Sequence, residues 1–320
     1  MRGWWRDLTD LVLPAECGGC GRPRAVLCPE CRAALSGAAP SRVRPVPEPA
    51  GLPAVHAAAP YTDEVRAVLL AHKERGALAL AAPLGAALAG AVRAALETPR
   101  RPGPAGRPVA SQGRLRRGRG QAGCEREWPE GDGEGARGAG PGDRAVLLVP
   151  VPSARRTVRA RGHDPARRIA LAAAGELRRT GTPARVLGVL RQRRAVADQS
   201  GLNSRQRSDN LAGALEVVGG GARLLAGGGR VVLVDDLMTT GASLTEAARA
   251  VREAQAAAEG ACAARERPER PERAELPELP ELPEVDGRIV GRGQARGTRG
   301  DTVCSAVVAA PPDAFEINRN

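Results

Sequence analysis

The chain has 320 residues, enough for one large domain or two small ones with a real hydrophobic core. Aromatic residues make up only 2% of it, so the core must be built from Leu, Val and Ala. The formal net charge of +12 comes almost entirely from arginine in an Ala-, Gly- and Pro-rich composition, with Lys73 as the sole lysine. Charge alone is therefore a weak argument for a nucleic-acid surface.

The N-terminal stretch "MRGWWRDLTDLVLPAEC" is too polar for a secretory signal, because Asp7 and Asp10 interrupt its apolar residues. No run of eighteen apolar residues predicts a transmembrane helix, and we expect no membrane insertion. We therefore predict a cytoplasmic protein, whose cysteines stay reduced.

Four of the seven cysteines form two C-x-x-C pairs, Cys17 with Cys20 and Cys28 with Cys31. Four thiolates at this spacing can close a tetrahedral Zn²⁺ site. Two disulfides are disfavoured in a reducing compartment, and a redox site would need one pair at a βαβ corner. We predict a structural, non-catalytic four-cysteine zinc module over residues 1–44.

Two segments lack any apolar period and are predicted to be disordered insertions. Residues 98–143 are rich in Arg, Gly and Pro, and residues 258–302 are rich in Pro and Glu. Neither can bury enough apolar surface to offset the entropy of ordering. Between residues 45 and 97, apolar residues at helical spacing predict a helical linking or hood region.

The segment 144–257 alternates strands and helices. Short apolar runs at 145–152, 184–190 and 230–234 are typical of buried strands, and "RGHDPARRIALAAAGELRRTG" predicts a helix. A last core strand is expected in the C-terminal segment 303–320. This α/β alternation predicts a parallel sheet flanked by helices on both faces.

The run "VVLVDDLMTTGAS", residues 231–243, carries the clearest chemistry. Ligands bind beyond the carboxyl ends of parallel strands, where Asp235 and Asp236 would lie. The residues that follow are small or carry hydroxyls, and they open a helix whose amides favour an anion. They are Thr239, Thr240, Gly241, Ala242 and Ser243. Carboxylates accept hydrogen bonds from a diol, so a sugar phosphate fits both features.

Three other interpretations of this run compete with a sugar-phosphate site. A P-loop needs G-x-x-x-x-G-K-[ST], and Lys73 is not in such a motif. A phosphoacceptor receiver domain would place its acids near its start and would need a later lysine. The third is a strand-turn-helix corner with an acidic helix cap, which the bare acid pair alone would fit.

The run resembles the phosphoribosyl-pyrophosphate (PRPP) motif of type I phosphoribosyltransferases. In its order of segments the chain is similar to the ComF-type competence family, which places a cysteine zinc module and a helical region before the transferase domain. The resemblance implies that Asp235 and Asp236 hold the ribose hydroxyls and that residues 239–243 hold the 5′-phosphate. It also implies Mg²⁺ beside the pyrophosphate and a type I phosphoribosyltransferase-like fold.

Further positions follow from the same resemblance. The loop "VPVPSARR" would meet pyrophosphate through Ser153, Arg155 and Arg156. A polar loop would either face the active site or brace it, and its matched residues are Gln199, Arg205, Arg207 and Asn210. His163 and Asp164 in "RGHD" replace the aromatic and amide residues usual in the family.

Two functions are expected from this resemblance. The first is a phosphoribosyltransferase that moves the sugar from PRPP to a nitrogenous base or nucleotide. The alternative is a non-catalytic PRPP- or nucleotide-sensing protein that contacts DNA or a partner in the competence machinery.

Overall fold

A six-stranded mixed sheet forms the centre of the fold. The structure, a computed structural model, describes residues 16–98, 145–194, 196, 204–227, 229–265 and 303–315. The strand order is β1-β2-β8-β7-β3-β4, with β1 antiparallel to β2 and all other neighbours parallel. These strands are Ser41–Val43 (β1), Val55–Pro60 (β2), Val146–Pro150 (β3), Ala184–Val186 (β4), Val231–Leu237 (β7) and Val303–Ala310 (β8). A separate antiparallel pair joins Leu190–Gln192 (β5) to Leu215–Val217 (β6).

Helices cover both faces of the sheet. They are Pro29–Ser36 (α1), Asp63–Lys73 (α2), Ala81–Glu97 (α3), Arg155–Arg161 (α4), Pro165–Arg179 (α5), Ser204–Leu211 (α6), Gly221–Ala226 (α7) and Ala242–Arg265 (α8). Val232 and Val234 of β7 pack on the side of α2, α3 and α5, while Val231 and Leu233 pack on the side of α7 and α8. This is the two-residue alternation that a strand buried on both faces requires.

Small residues let the helices approach closely. A Cβ atom added to Gly85 of α3 would lie 2.4 Å from the Cβ of Ala172 in α5, so a larger residue would force these helices apart. By length and composition the stretch Leu78–Glu97 could cross a membrane, with a mean hydropathy of 1.6. It packs against the sheet and α5, and 56% of its most apolar 18-residue window is buried inside the protein.

The α/β class with a mostly parallel, helix-flanked sheet is confirmed, and details differ from the sequence expectation. Residues 45–97 predict helices, and the structure adds β1 and β2 before them, at one edge of the main sheet. The predicted strand at 184–190 is two strands, β4 and β5, in different sheets. Helix α8 continues to Arg265, into the start of the predicted insertion 258–302. The rest of both predicted insertions, apart from Thr98, lies outside the described residues.

Glu246 of α8 ties the small β5–β6 sheet to the main body. It is 5% exposed, and its Oε1 accepts a hydrogen bond of 2.9 Å from the amide of Leu215 at the start of β6. The same carboxylate pairs with Arg249, one helical turn on, at 2.7 Å. Burial acts to raise the pKa of Glu246, but the bonds from Arg249 and Leu215 outweigh it and hold that pKa below its usual value.

We expect Glu246→Ala to lower the free energy of unfolding by about 2–3 kcal/mol, because the buried Leu215 amide loses its acceptor. Glu253→Ala is the matched control, since Glu253 pairs with the same Arg249 from a side chain that is 67% exposed. This control should cost under about 1 kcal/mol. Urea unfolding of both variants measures the difference, and equal losses would contradict the anchoring role of Glu246.

Candidate functional site

The carboxyl edge of the sheet brings two loops of the predicted site side by side. Strand β7 ends with Asp235 and Asp236, and β3 is its parallel neighbour. The amide of Val151, just after β3, donates to the carbonyl of Val234 at 2.9 Å. The loop after β3 therefore starts level with the acid pair. In open parallel sheets this edge is where ligands bind.

The loop after the acid pair presents unused backbone donors. The amide of Met238 is anchored on the carbonyl of Ala309 at 3.0 Å. From Thr239 to Leu244, no backbone amide donates a hydrogen bond to another described residue. Helix α8 begins at Ala242, so its positive dipole end adds to these donors. The loop can therefore bind an anion through its main chain.

Gly241 is the position in this loop where only glycine fits. Its φ angle is +77°, in the left-handed region that other residues rarely adopt. A Cβ atom there would also lie 3.1 Å from both methyl carbons of Leu52, which covers this side of the loop together with Pro45. Thr239, on the other side, is exposed. The loop is thus closed on one side and open on the other.

The two acids lie in different environments. Asp236 follows the face of Val232 and Val234, is 7% exposed, and receives a hydrogen bond of 2.8 Å from the Nζ of Lys73. Asp235 is half-buried, and its Oδ1 accepts the backbone amide of Asp236 at 2.8 Å. The alternation of side chains along β7 separates the two acids, so they are not equivalent as ligands for a diol.

Burial and the neighbouring charge of Asp236 raise the pKa of Asp235 well above its usual value, and Lys73 offsets only part of this effect. For Lys73, burial acts to lower the pKa, but the charge and hydrogen bond of Asp236 prevail and raise it. Lys73 is therefore a cation at neutral pH. The end of β7 therefore holds a partly buried ion pair beside Asp235, whose carboxyl is costly to ionise.

Lys73 was missed by sequence reasoning, which considered it only as a P-loop lysine. It is the last residue of α2 and lies 163 positions before Asp236. The sequence did contain one indication, because Lys73 is the single lysine in a chain that otherwise uses arginine. Its partner could not be inferred without the topology that brings α2 to the end of β7.

The departing loop "RGHD" docks on the end of α2. Arg161 forms an ion pair with Glu74, and the Nε2 of His163 lies 3.2 Å from the carbonyl of His72. The rings of His72 and His163 meet edge to face, with centroids 5.6 Å apart. Asp164 caps α5 by accepting the Arg167 amide at 3.2 Å. The role of His163 and Asp164 is therefore to hold the two helices, α2 and α5, around this loop.

Of the predicted pyrophosphate loop, Ser153 is half-buried, and Arg155 and Arg156 are exposed at the start of α4. All three follow β3 at the carboxyl edge. Both arginines therefore lie in the segment that follows β3, at the edge of the sheet where the ligand is expected.

Arg207 of the predicted polar loop contacts the acidic motif. The Nη1 of Arg207 in α6 lies 3.4 Å from the Oγ1 of Thr239, and its Nε is buried without a partner among the described residues. The carbonyl of Asn210 accepts a bond of 2.9 Å from Arg194 and so braces the loop. Arg205 is exposed on α6, and Gln199 lies outside the described residues.

The four N-terminal cysteines converge on one point. Their Sγ atoms all lie within 4.8 Å of one another, and those of Cys20 and Cys28 are 3.5 Å apart. A tetrahedral Zn²⁺ with Zn–S bonds of about 2.3 Å would place its sulfurs about 3.8 Å apart, so the set fits this ion. Burial acts to raise the pKa of Cys17, but backbone amides, chiefly that of Cys28, lower it to about 6 and favour the thiolate.

The cysteine cluster shares its core with α2 and the start of α3. A Cβ added to Gly19, between the first two cysteines, would meet the Sγ of Cys31 at 2.6 Å and Val68 of α2 at 3.3 Å. A Cβ on Gly18 would meet Leu80 at 2.6 Å. The module is therefore packed against the helix that carries Lys73.

No protein-family model matches the chain, and no curated protein shows significant similarity to it. The fold class and the four-cysteine cluster are established from the structure itself.

We expect purified protein to hold one Zn²⁺ per chain and Cys28→Ser to lose it, because removing one thiolate opens a closed tetrahedral site. The thermal midpoint should fall with the metal, since Cys28 and Cys31 belong to the core shared with α2. Cys304→Ala is the control and should keep the metal, because Cys304 lies in β8, away from the cluster. Metal analysis with thermal scans decides, and a Cys28→Ser protein with full zinc content would disprove the site.

We expect Asp235→Asn to stabilise the protein at neutral pH. Because the pKa of Asp235 is raised in the folded protein, its protonated form contributes stability that is fully present below the unfolded pKa of about 4. This contribution is lost as the pH rises through the folded pKa. An amide cannot ionise, so the variant avoids this loss. Its thermal midpoint should rise by about 2–4 °C for each kcal/mol of unfolding free energy that it regains. The gain should vanish below about pH 4. Thermal scans across pH test this, and a destabilised variant at pH 8 would contradict it.

Proposed function

We propose that the protein is a phosphoribosyltransferase-like protein that binds PRPP at the carboxyl edge of its sheet. The 5′-phosphate would accept hydrogen bonds from the amides and hydroxyls of residues 239–243. The ribose hydroxyls would donate to Asp235 and Asp236. The pyrophosphate would lie toward the loop after β3, near Ser153, Arg155 and Arg156.

The backbone amides from Thr239 to Leu244, directly after the acid pair, carry this proposal, because none of them donates to another described residue. Backbone amides alone could bind any phosphate, and carboxylates alone could bind any cation. The two together suit a ligand that has a phosphate at one end and a diol close by. The raised pKa of Asp235 also supports a binding site here, since acids with shifted pKa values are concentrated at binding and active sites.

The transfer would be a displacement at the anomeric carbon, in which the bond to pyrophosphate breaks as the bond to a nitrogen of the acceptor forms. Mg²⁺, when bound with the ligand, neutralises and orients the pyrophosphate. Carboxylate oxygen suits this ion, and Asp235 offers it at the edge of the sheet. The acceptor class that we propose is a nitrogenous base or nucleotide.

We expect Asp235→Asn and Asp236→Asn each to weaken PRPP binding by about 10- to 100-fold, because each loses charged hydrogen bonds to the ligand. Titration calorimetry with Mg²⁺ present measures this. Asp164→Asn is the matched control, since asparagine caps a helix as well as aspartate does. Unchanged PRPP affinity in both site variants, or no PRPP binding by the wild type, would overturn the proposal.

Turnover separates the transferase from the sensing alternative. Release of pyrophosphate from PRPP with one member of a panel of bases and nucleotides would establish a transferase. PRPP binding without turnover, together with salt-sensitive binding of DNA, would establish the alternative.

A further inference from the structure

Lys73 places a positive charge at the acid pair, although it lies outside the run 231–243. We propose that Lys73 is a ligand-binding residue that selects sugar phosphates carrying an anionic group on the anomeric carbon. Its ammonium would stay on Asp236 and donate its remaining hydrogen bonds to that group. This inference rests on the proposed function and adds a specificity-determining residue to it.

The first support is the donor capacity of Lys73. An ammonium has three N–H donors, and the described contacts of Lys73 use one of them, the bond of 2.8 Å to the Oδ2 of Asp236. The side chain of Lys73 is 34% exposed, whereas that of Asp236 is 9% exposed. Lys73 is therefore the more exposed partner of the ion pair and the one more open to a ligand.

The second support is electrostatic. PRPP is a polyanion, and the two carboxylates that would bind its diol repel it. A cation bound to one of them removes most of that repulsion close to the sugar. Because Asp236 keeps the ammonium charged and fixed, the pair can accept hydroxyl hydrogens on the free carboxylate lone pairs and donate to phosphate oxygens at the same time.

The third support is the placement of the cations. Arg207 reaches the loop at Thr239, which is the proposed 5′-phosphate end. Lys73 reaches the strand end at Asp236 from the opposite face of the sheet, where α2 packs. A sugar lying between them would have its 5′-phosphate near Arg207 and its anomeric substituent near Lys73. The two cations would then bracket a ligand with anionic groups at both ends.

Lys73 is also held in place before any ligand binds. The helix end that carries it is fastened by the Glu74–Arg161 ion pair and by the His163 ring on the carbonyl of His72. Farther back on α2, Val68 packs against the cysteine cluster. Such preorganisation lowers the entropy lost when the ligand binds.

The test compares Lys73→Met with wild type for three ligands in titration calorimetry with Mg²⁺ present: PRPP, ribose 5-phosphate and pyrophosphate. We expect Lys73→Met to weaken PRPP and pyrophosphate by about 10- to 100-fold, as for loss of a charged hydrogen bond. Ribose 5-phosphate, which lacks the anomeric anion, should change by less than about threefold. Lys73→Arg should recover part of the PRPP affinity.

Arg75→Met is the matched control, because Arg75 lies two residues away, is exposed, and donates its side-chain hydrogen bond to the carbonyl of Ala67. It should leave all three affinities unchanged. A Lys73→Met protein that binds PRPP as wild type does would overturn the inference while leaving the proposed function intact. An equal loss for PRPP and ribose 5-phosphate would also overturn it, because Lys73 would then act only by holding Asp236. A wild type that binds no PRPP would instead reject the proposed function itself.

Discussion

Two adjacent carboxyl groups at the end of a buried strand need a nearby positive charge, and Lys73 provides it. Several contacts elsewhere in the structure hold Lys73 in that position. Lys73 comes from a helix that begins at Asp63 on the other side of β8, far from Asp236 in sequence. Placing it there requires α2 to be fixed against the sheet, the cysteine cluster and the loop after α4. The packing of the N-terminal cysteine module therefore contributes to the position of the ion pair at the end of β7.

The loop after the acid pair, which we propose binds a phosphate, depends on residues with small side chains. Gly241 tolerates a left-handed backbone under Leu52, and Ala242 opens α8 without covering the amides that precede it. Small residues have the same effect in the core, where Gly85 and Ala172 let α3 and α5 pack closely together. A chain poor in aromatic residues can still build a dense interior in this way, by bringing main chains together rather than by filling space with large side chains.

The sequence predicts the features that are local. Asp235, Asp236 and the small residues after them are contiguous, so their place at the end of a strand and the start of a helix follows from the pattern of β7 and α8. The four cysteines are likewise evident from their spacing. Strand β2, "VHAAAP", was not predicted, because alanine carries little strand preference and only its pairing with β1 and β8 makes it a strand. Lys73 was missed for the same reason, since its meaning lies in a contact made across the sheet.

Strand β8 has a consequence for the order in which the protein can be completed. It lies between β2 and β7, so among the described strands no other joins the half of the sheet that bears α2 to the half that bears the acid pair. It is also the last of these strands along the chain. During synthesis, therefore, no pairing among the described strands can link the part of the sheet beside α2 to the part that carries Asp236 until residues 303–310 emerge from the ribosome.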